Sequence, residues 1–116
     1  MAIMPNAANC QVPVAKLLGY LLSHAHPDGA PKAKFLESFG FSRQHPNVLS
    51  AALLAHSVTF DVASERQTEY GQMFEIIGRI GSPDGRNPFV KVVWMIADDD
   101  DRPRLVTLVP SQEPTL

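Results

Sequence analysis

The 116 residues predict an α+β fold in which about three N-terminal helices pack on a three- to four-stranded antiparallel meander sheet. Three observations predict it. Apolar residues recur at three- and four-residue steps through the first half of the chain, and beyond His56 the period turns to alternation. Pro83-Asp84-Gly85 then separates two apolar runs, a hairpin signal in which proline presets the turn and Asp-Gly tolerates positive φ.

Each element follows from local chemistry. Pro13 suits the first turn of a helix, and Val14, Leu17, Leu18, Leu21 and Leu22 form its stripe up to about His24, with Lys16 and Ser23 elsewhere on the wheel. A second helix is expected from about Lys32, with Phe35, Leu36 and Phe39 inward and Gly40 as its stop. Pro46 opens a third, with Val48, Leu49, Ala52 and Leu53 as its stripe and His56 at its end, placed to cap the last carbonyls. Val58 to Val62 reads as a short strand and Ser64 to Thr68 as a polar turn. Tyr70 to Ile80 and Phe89 to Ile96 read as longer strands, and Arg104 to Val109 as the last. Asp98 to Asp101 lack the spaced ligands and glycine of a calcium loop and read as a solvated turn.

Composition narrows the function classes. With 45% hydrophobic and 19% charged residues, the chain has the make-up of a folded globular protein, and the length suits one domain over 1–116, its core at about 12–110 and a polar tail at 111–116. Ten Lys and Arg against 12 Asp and Glu give a net charge of -2, so any anion site must be local. A single cysteine, Cys10, rules out an internal disulfide framework and a thiolate cluster. No stretch resembles a signal peptide or a membrane span, which predicts a cytoplasmic protein that does not engage membrane.

The richest stretch for chemistry is His24 to Lys34, where two histidines and two lysines sit among Pro27, Gly29 and Pro31. Spacing separates the lysines. Lys32 stands three, four and seven positions before Phe35, Leu36 and Phe39 and shares their face, whereas Lys34 points away. Such side chains also suit a merely solvated turn. Phosphate-binding glycine loops, zinc patterns and Gly-x-Ser-x-Gly elbows are missing, and His24 and His26 lack a partnering carboxylate-histidine pattern, so neither metal nor cofactor is expected. What remains is metal-free acid–base chemistry with ammonium stabilisation, which suits phosphodiester cleavage because RNA supplies its own 2′-hydroxyl nucleophile.

Tyr20-Leu21-Leu22, His26-Pro27-x-Gly29-x-x-Lys32-Ala33, Phe35 and Gly40-Phe41 form an ordered set with Tyr70-Gly71, Pro83-Asp84-Gly85, Lys91 with Trp94, and Pro103-Arg104-Leu105 with Thr107. This set resembles a small bacterial domain of largely uncharacterised function, found alone and at the C-termini of polymorphic secreted toxins. In arrangement that domain is similar to the barnase–EndoU–colicin–RelE group of metal-independent ribonuclease toxins. The resemblance spans residues 5 to about 110. It implies a toxin domain of a toxin–antitoxin or interbacterial system that cleaves RNA, tRNA included, and meets a cognate antitoxin or immunity protein. His26 is then acid or base, Lys32 stabilises the pentacovalent phosphorus, Lys91 stands where the toxins usually have arginine, and Thr107 donates to a phosphate oxygen.

The chain departs from the toxin pattern in one place, reading Lys91-Val92-Val93-Trp94 where toxins tend to read Arg-Thr-Gly-Trp. The more apolar strand and the acidic balance support an alternative: a non-catalytic binding module, such as an antitoxin, inhibitor or adaptor, whose Val90 to Ile96 strand pairs with a partner or in a homodimer. A third reading, an enzyme acting on a small nucleotide, uses the same cations.

Overall fold

A computed structural model describes residues 2–113; Met1 and the last three residues of the expected tail lie outside the described residues. Three helices precede four strands that pair in the order β1-β2-β3-β4, all antiparallel, as the sequence predicts. The first helix, α1, is one α-turn over Val14–Lys16 that runs into a π-helical stretch, Leu17–Leu21. It is shorter than its apolar pattern. The Leu22 N–H reaches the Leu17 carbonyl at 2.7 Å, five residues back, and the Arg43 guanidinium donates to the carbonyls of Leu18 and Leu22, which satisfies the helix end. Leu17, Leu21 and Leu22 are buried, but Val14, expected inside, is exposed.

Helix α2 spans Ala30–Ser38 and α3 spans Pro46–Thr59. Their buried faces carry Ala33 and Leu36, and Leu49 and Leu53. Strands β2, Gly71–Arg79, and β3, Phe89–Ala97, pair along their whole lengths, and β4 spans Arg104–Pro110. Alternation sorts their side chains as read from the sequence. Phe74, Ile76, Val90, Val92 and Trp94 point to the helices and are buried, and Phe74 lies directly opposite Trp94, a pair of the kind that contributes about 0.2–1 kcal/mol. The same core takes in Met4, Ala7 and Cys10 near the N-terminus.

Two local expectations are corrected. Val58 and Thr59 lie in α3 and not in a strand, while Ser64–Thr68, read as a turn, is strand β1. Its five side chains are polar and almost all exposed, so the apolar alternation that marks a half-buried strand is missing; pairing with β2 from Ser64 opposite Glu75 to Thr68 opposite Gly71 holds it extended. Beyond β3 the acidic run forms a turn tied to the N-terminal segment, with Asn6 donating to the Asp101 carbonyl and Gln11 to the Asp100 carboxylate.

His56 does not cap its helix. It is 2% exposed, its Nε2–H donates to the Gly78 carbonyl of β2 at 3.2 Å, and its Nδ1 has no partner among the described residues. The Phe60 ring lies against it at 5.0 Å and covers Gly78, where an added Cβ would stand 2.5 Å from that ring. Burial lowers the imidazole's pKa from its ordinary 6.5, against the opposing pull of the Gly78 carbonyl. As pH falls, the unfolded chain takes up this proton first, so the stability due to neutral His56 is present above pH 6.5 and is lost on acidification through the folded pKa. The His56 ring signals should titrate below pH 6.5 by NMR, with the urea midpoint falling over the same range. Titration at or above 6.5 would contradict the assignment.

Candidate functional site

The loop between α1 and α2 is shaped by close approach. Gly29 has an ordinary φ of −84°, yet a Cβ on it would stand 2.0 Å from the Tyr20 carbonyl oxygen. Only a residue without a side chain lets the loop lie there. Ser23 Oγ accepts the N–H groups of Ala25 and His26, each at 3.3 Å. His26 Nδ1 accepts those of Asp28 at 3.0 Å and Gly29 at 3.1 Å. An imidazole nitrogen that accepts carries no proton, so neutral His26 is held with its proton on Nε2. The histidine both builds the loop and presents a donor.

Tyr20 is where the site comes together. Its hydroxyl is 2.8 Å from Thr107 Oγ1, its ring is edge-on to His26 at 4.9 Å, and Lys32 Nζ lies 5.4 Å from the ring centroid. Thr107 is placed by a bulge. The β3–β4 register shifts at Val93 and Trp94, which face Thr107 and Leu105, leaving Val106 without a Cα partner. Lys16, Gly19, Tyr20, His26, Asp28, Val106 and Thr107 line an open cleft of about 430 Å³. Lys32 does not line it but approaches the same tyrosine from α2, with Nζ donating to the Asp28 carbonyl at 3.2 Å.

The four residues expected to form the site thus divide. His26, Lys32 and Thr107 gather around Tyr20. Lys91 lies in β3 opposite Val109, a diagonal neighbour of Thr107 across the strands, and its amine sits 3.7 Å from the Glu75 carboxylate. His24, the histidine without the matched motif, pairs with Glu37 at 2.7 Å, and Lys34 is exposed. Sequence reasoning gave Tyr20, part of the matched set, no role in the site, and missed Lys16. Both stand off the apolar stripe of α1, and their four-residue spacing, which places Lys16 Nζ 5.2 Å from the Tyr20 centroid, was the available signal.

Fold and site together define a small α+β protein with a cation-bearing cleft between its first helix, the following loop and an edge strand. The chain belongs to the family described as Domain of unknown function (DUF6883), whose model matches residues 3–112. It is also similar to a chain of the contact-dependent growth inhibition toxin–immunity protein complex from Klebsiella pneumoniae 342. The TM-score is 0.69 and identity 15%, with 86% of this chain and 98% of that one covered, a likeness of fold. No curated protein matches.

Gly29→Ala should destabilise the protein by about 1–3 kcal/mol, because the loop must lift from Tyr20. Gly19→Ala, whose Cβ meets nothing within 4 Å, should be neutral or stabilising by up to about 1 kcal/mol. Urea denaturation of both variants compares them; equal effects would refute the close-approach account.

Proposed function

We propose that this protein is a ribonuclease-like toxin domain of a bacterial toxin–antitoxin or interbacterial system, and that the Tyr20 cleft is where it cleaves RNA without a metal. One observation carries the reading: His26, Lys32 and Thr107, drawn from a loop, a helix and a strand, meet at one tyrosine beside an open cleft. The likeness in fold to a chain of a toxin–immunity protein complex supports a cognate partner protein.

In this reaction the RNA 2′-hydroxyl attacks the adjacent phosphorus and the bond to the 5′-oxygen breaks, leaving a cyclic phosphate and a 5′-hydroxyl. The 2′-hydroxyl loses a proton and the 5′-oxygen gains one. Charge builds on the non-bridging oxygens, where the Lys32 ammonium, the Thr107 hydroxyl and the His26 Nε2–H can stabilise it. To carry a proton as acid or base, His26 must protonate Nδ1 and give up its hydrogen bonds from Asp28 and Gly29. Substrate binding therefore has to loosen the loop if the imidazole is to shuttle protons and not only donate.

Incubation of the purified protein with total RNA and with tRNA tests the reading. Wild type should cleave, and His26→Ala should fall by about 10²–10⁴-fold if the imidazole moves the proton. Equal cleavage by both proteins, or by neither, would remove the assignment.

A second reading, a non-catalytic binding module, is favoured by the sheet face turned away from the helices. There the half-buried Met73, Ile77 and Met95 share a face with Val93, which stands between Glu75 and Thr107. A complex that survives gel filtration, with no growth defect on expression, is the outcome that would favour it.

A further inference from the structure

Lys16 is a cation that neither the apolar pattern nor the matched motif brings forward. It is the last residue of the α-turn before the π-helical stretch, one four-residue step from Tyr20. Its Nζ donates to the Val106 carbonyl at 3.2 Å, at the bulge that places Thr107, and lies 5.2 Å from the Tyr20 ring centroid. It lines the cleft beside His26 and Thr107. No carboxylate pairs with it among the described residues, so one of its three N–H groups is committed and two remain for an anion.

Lys91 differs on each count. Its amine is drawn to Glu75, and it is not among the residues lining the cleft. A phosphorane carries more negative charge than one ammonium offsets, and the Lys16 amine is hydrogen-bonded to the carbonyl of Val106, the residue before Thr107. We propose that Lys16 is the second phosphate-binding cation of the cleft, in the place that the resemblance gives to Lys91. This rests on the ribonuclease reading above and assigns one of its charges.

The test uses a single-stranded RNA oligonucleotide for cleavage and its uncleavable 2′-deoxy counterpart for binding, with salt varied. Lys16→Met keeps the aliphatic stem against Tyr20, and Lys16→Gln keeps a polar but uncharged end; thermal melting checks that both fold. Either variant should bind the 2′-deoxy strand about tenfold more weakly, and the slope of log affinity against log salt should fall by about 0.7. Lys16→Arg should restore binding, and Lys91→Met should leave it at the wild-type level. Wild-type binding that the folded Lys16 variants retain, or an equal loss in Lys91→Met, overturns this assignment and leaves the ribonuclease reading standing. A wild-type protein that neither binds nor cleaves the oligonucleotide overturns both.

Discussion

The placement of His26 and Lys32 at the cleft depends on how closely the 24–29 loop approaches the last turn of α1. At Gly29 the backbone lies against the Tyr20 carbonyl with no room for a Cβ. That contact fixes the loop's height over the helix, and two consequences follow. The N–H groups of Asp28 and Gly29 fall within reach of His26 Nδ1, which turns the ring edge-on to Tyr20. Helix α2 then starts at Ala30, with the His26 carbonyl accepting its first N–H, and this start brings Lys32 to the tyrosine. A motif of the form His-Pro-x-Gly-x-x-Lys is therefore one mechanical unit, in which glycine sets the approach and histidine and lysine take positions from it.

The sheet supplies the opposite wall by a single irregularity. With Leu105 and Leu108 both buried, a regular strand between them would need an odd number of intervening residues to keep its alternation. Two intervene, Val106 and Thr107, and the bulge absorbs the extra one. The edge there is also covered: Gln11 pairs beside Arg104, and Lys16 takes the Val106 carbonyl. Seen this way, the departures from the toxin-like pattern have unequal weight. Val92 is fully buried opposite Ile76 and Leu108, where a valine serves packing and does not touch the cleft. Val93 stands directly opposite Thr107, so it is the departure that bears on the site.

What the sequence made legible was whatever burial writes as periodicity. The alternation of Phe74, Ile76, Val92 and Trp94 and the punctuation by Pro83 and Gly85 carried the meander, because a two-sided sheet cannot hide its parity. Strand β1 was illegible because an edge strand of polar residues is stabilised by its neighbour's backbone and not by its own side chains. The π-helical end of α1 was illegible for a related reason: it depends on Arg43, more than twenty residues away, taking the Leu18 and Leu22 carbonyls. His56 showed its type but not its partner, since Gly78 reaches it only once the sheet is formed. At the site, the motif gave His26 and Lys32 and contained Tyr20 without assigning it a role, while Lys16 looked like an ordinary off-stripe residue until the bulge of β4 arrived beside it.

A net charge of -2 taken alone argues against an anion site, and the placement of the acids answers that. Asp84 is held below the usual carboxylate range first by the Arg86 backbone N–H and then by Ser82 and the Arg86 side chain, within its own hairpin turn. Asp100 is held down in the same way, first by the Arg102 backbone N–H and next by Gln11. These carboxylates are engaged in shaping turns, and Glu75 and Glu37 are paired with Lys91 and His24. Exposed charges farther apart than about 8–10 Å are largely screened at physiological salt, so distant acids weigh little against local amines. Asp28 is the carboxylate among the residues lining the cleft, and the Lys32 amine bonds its carbonyl. The charged side chains at and beside the Tyr20 cleft are thus Lys16, Lys32 and Asp28, a local excess of positive charge within a chain whose sum is negative.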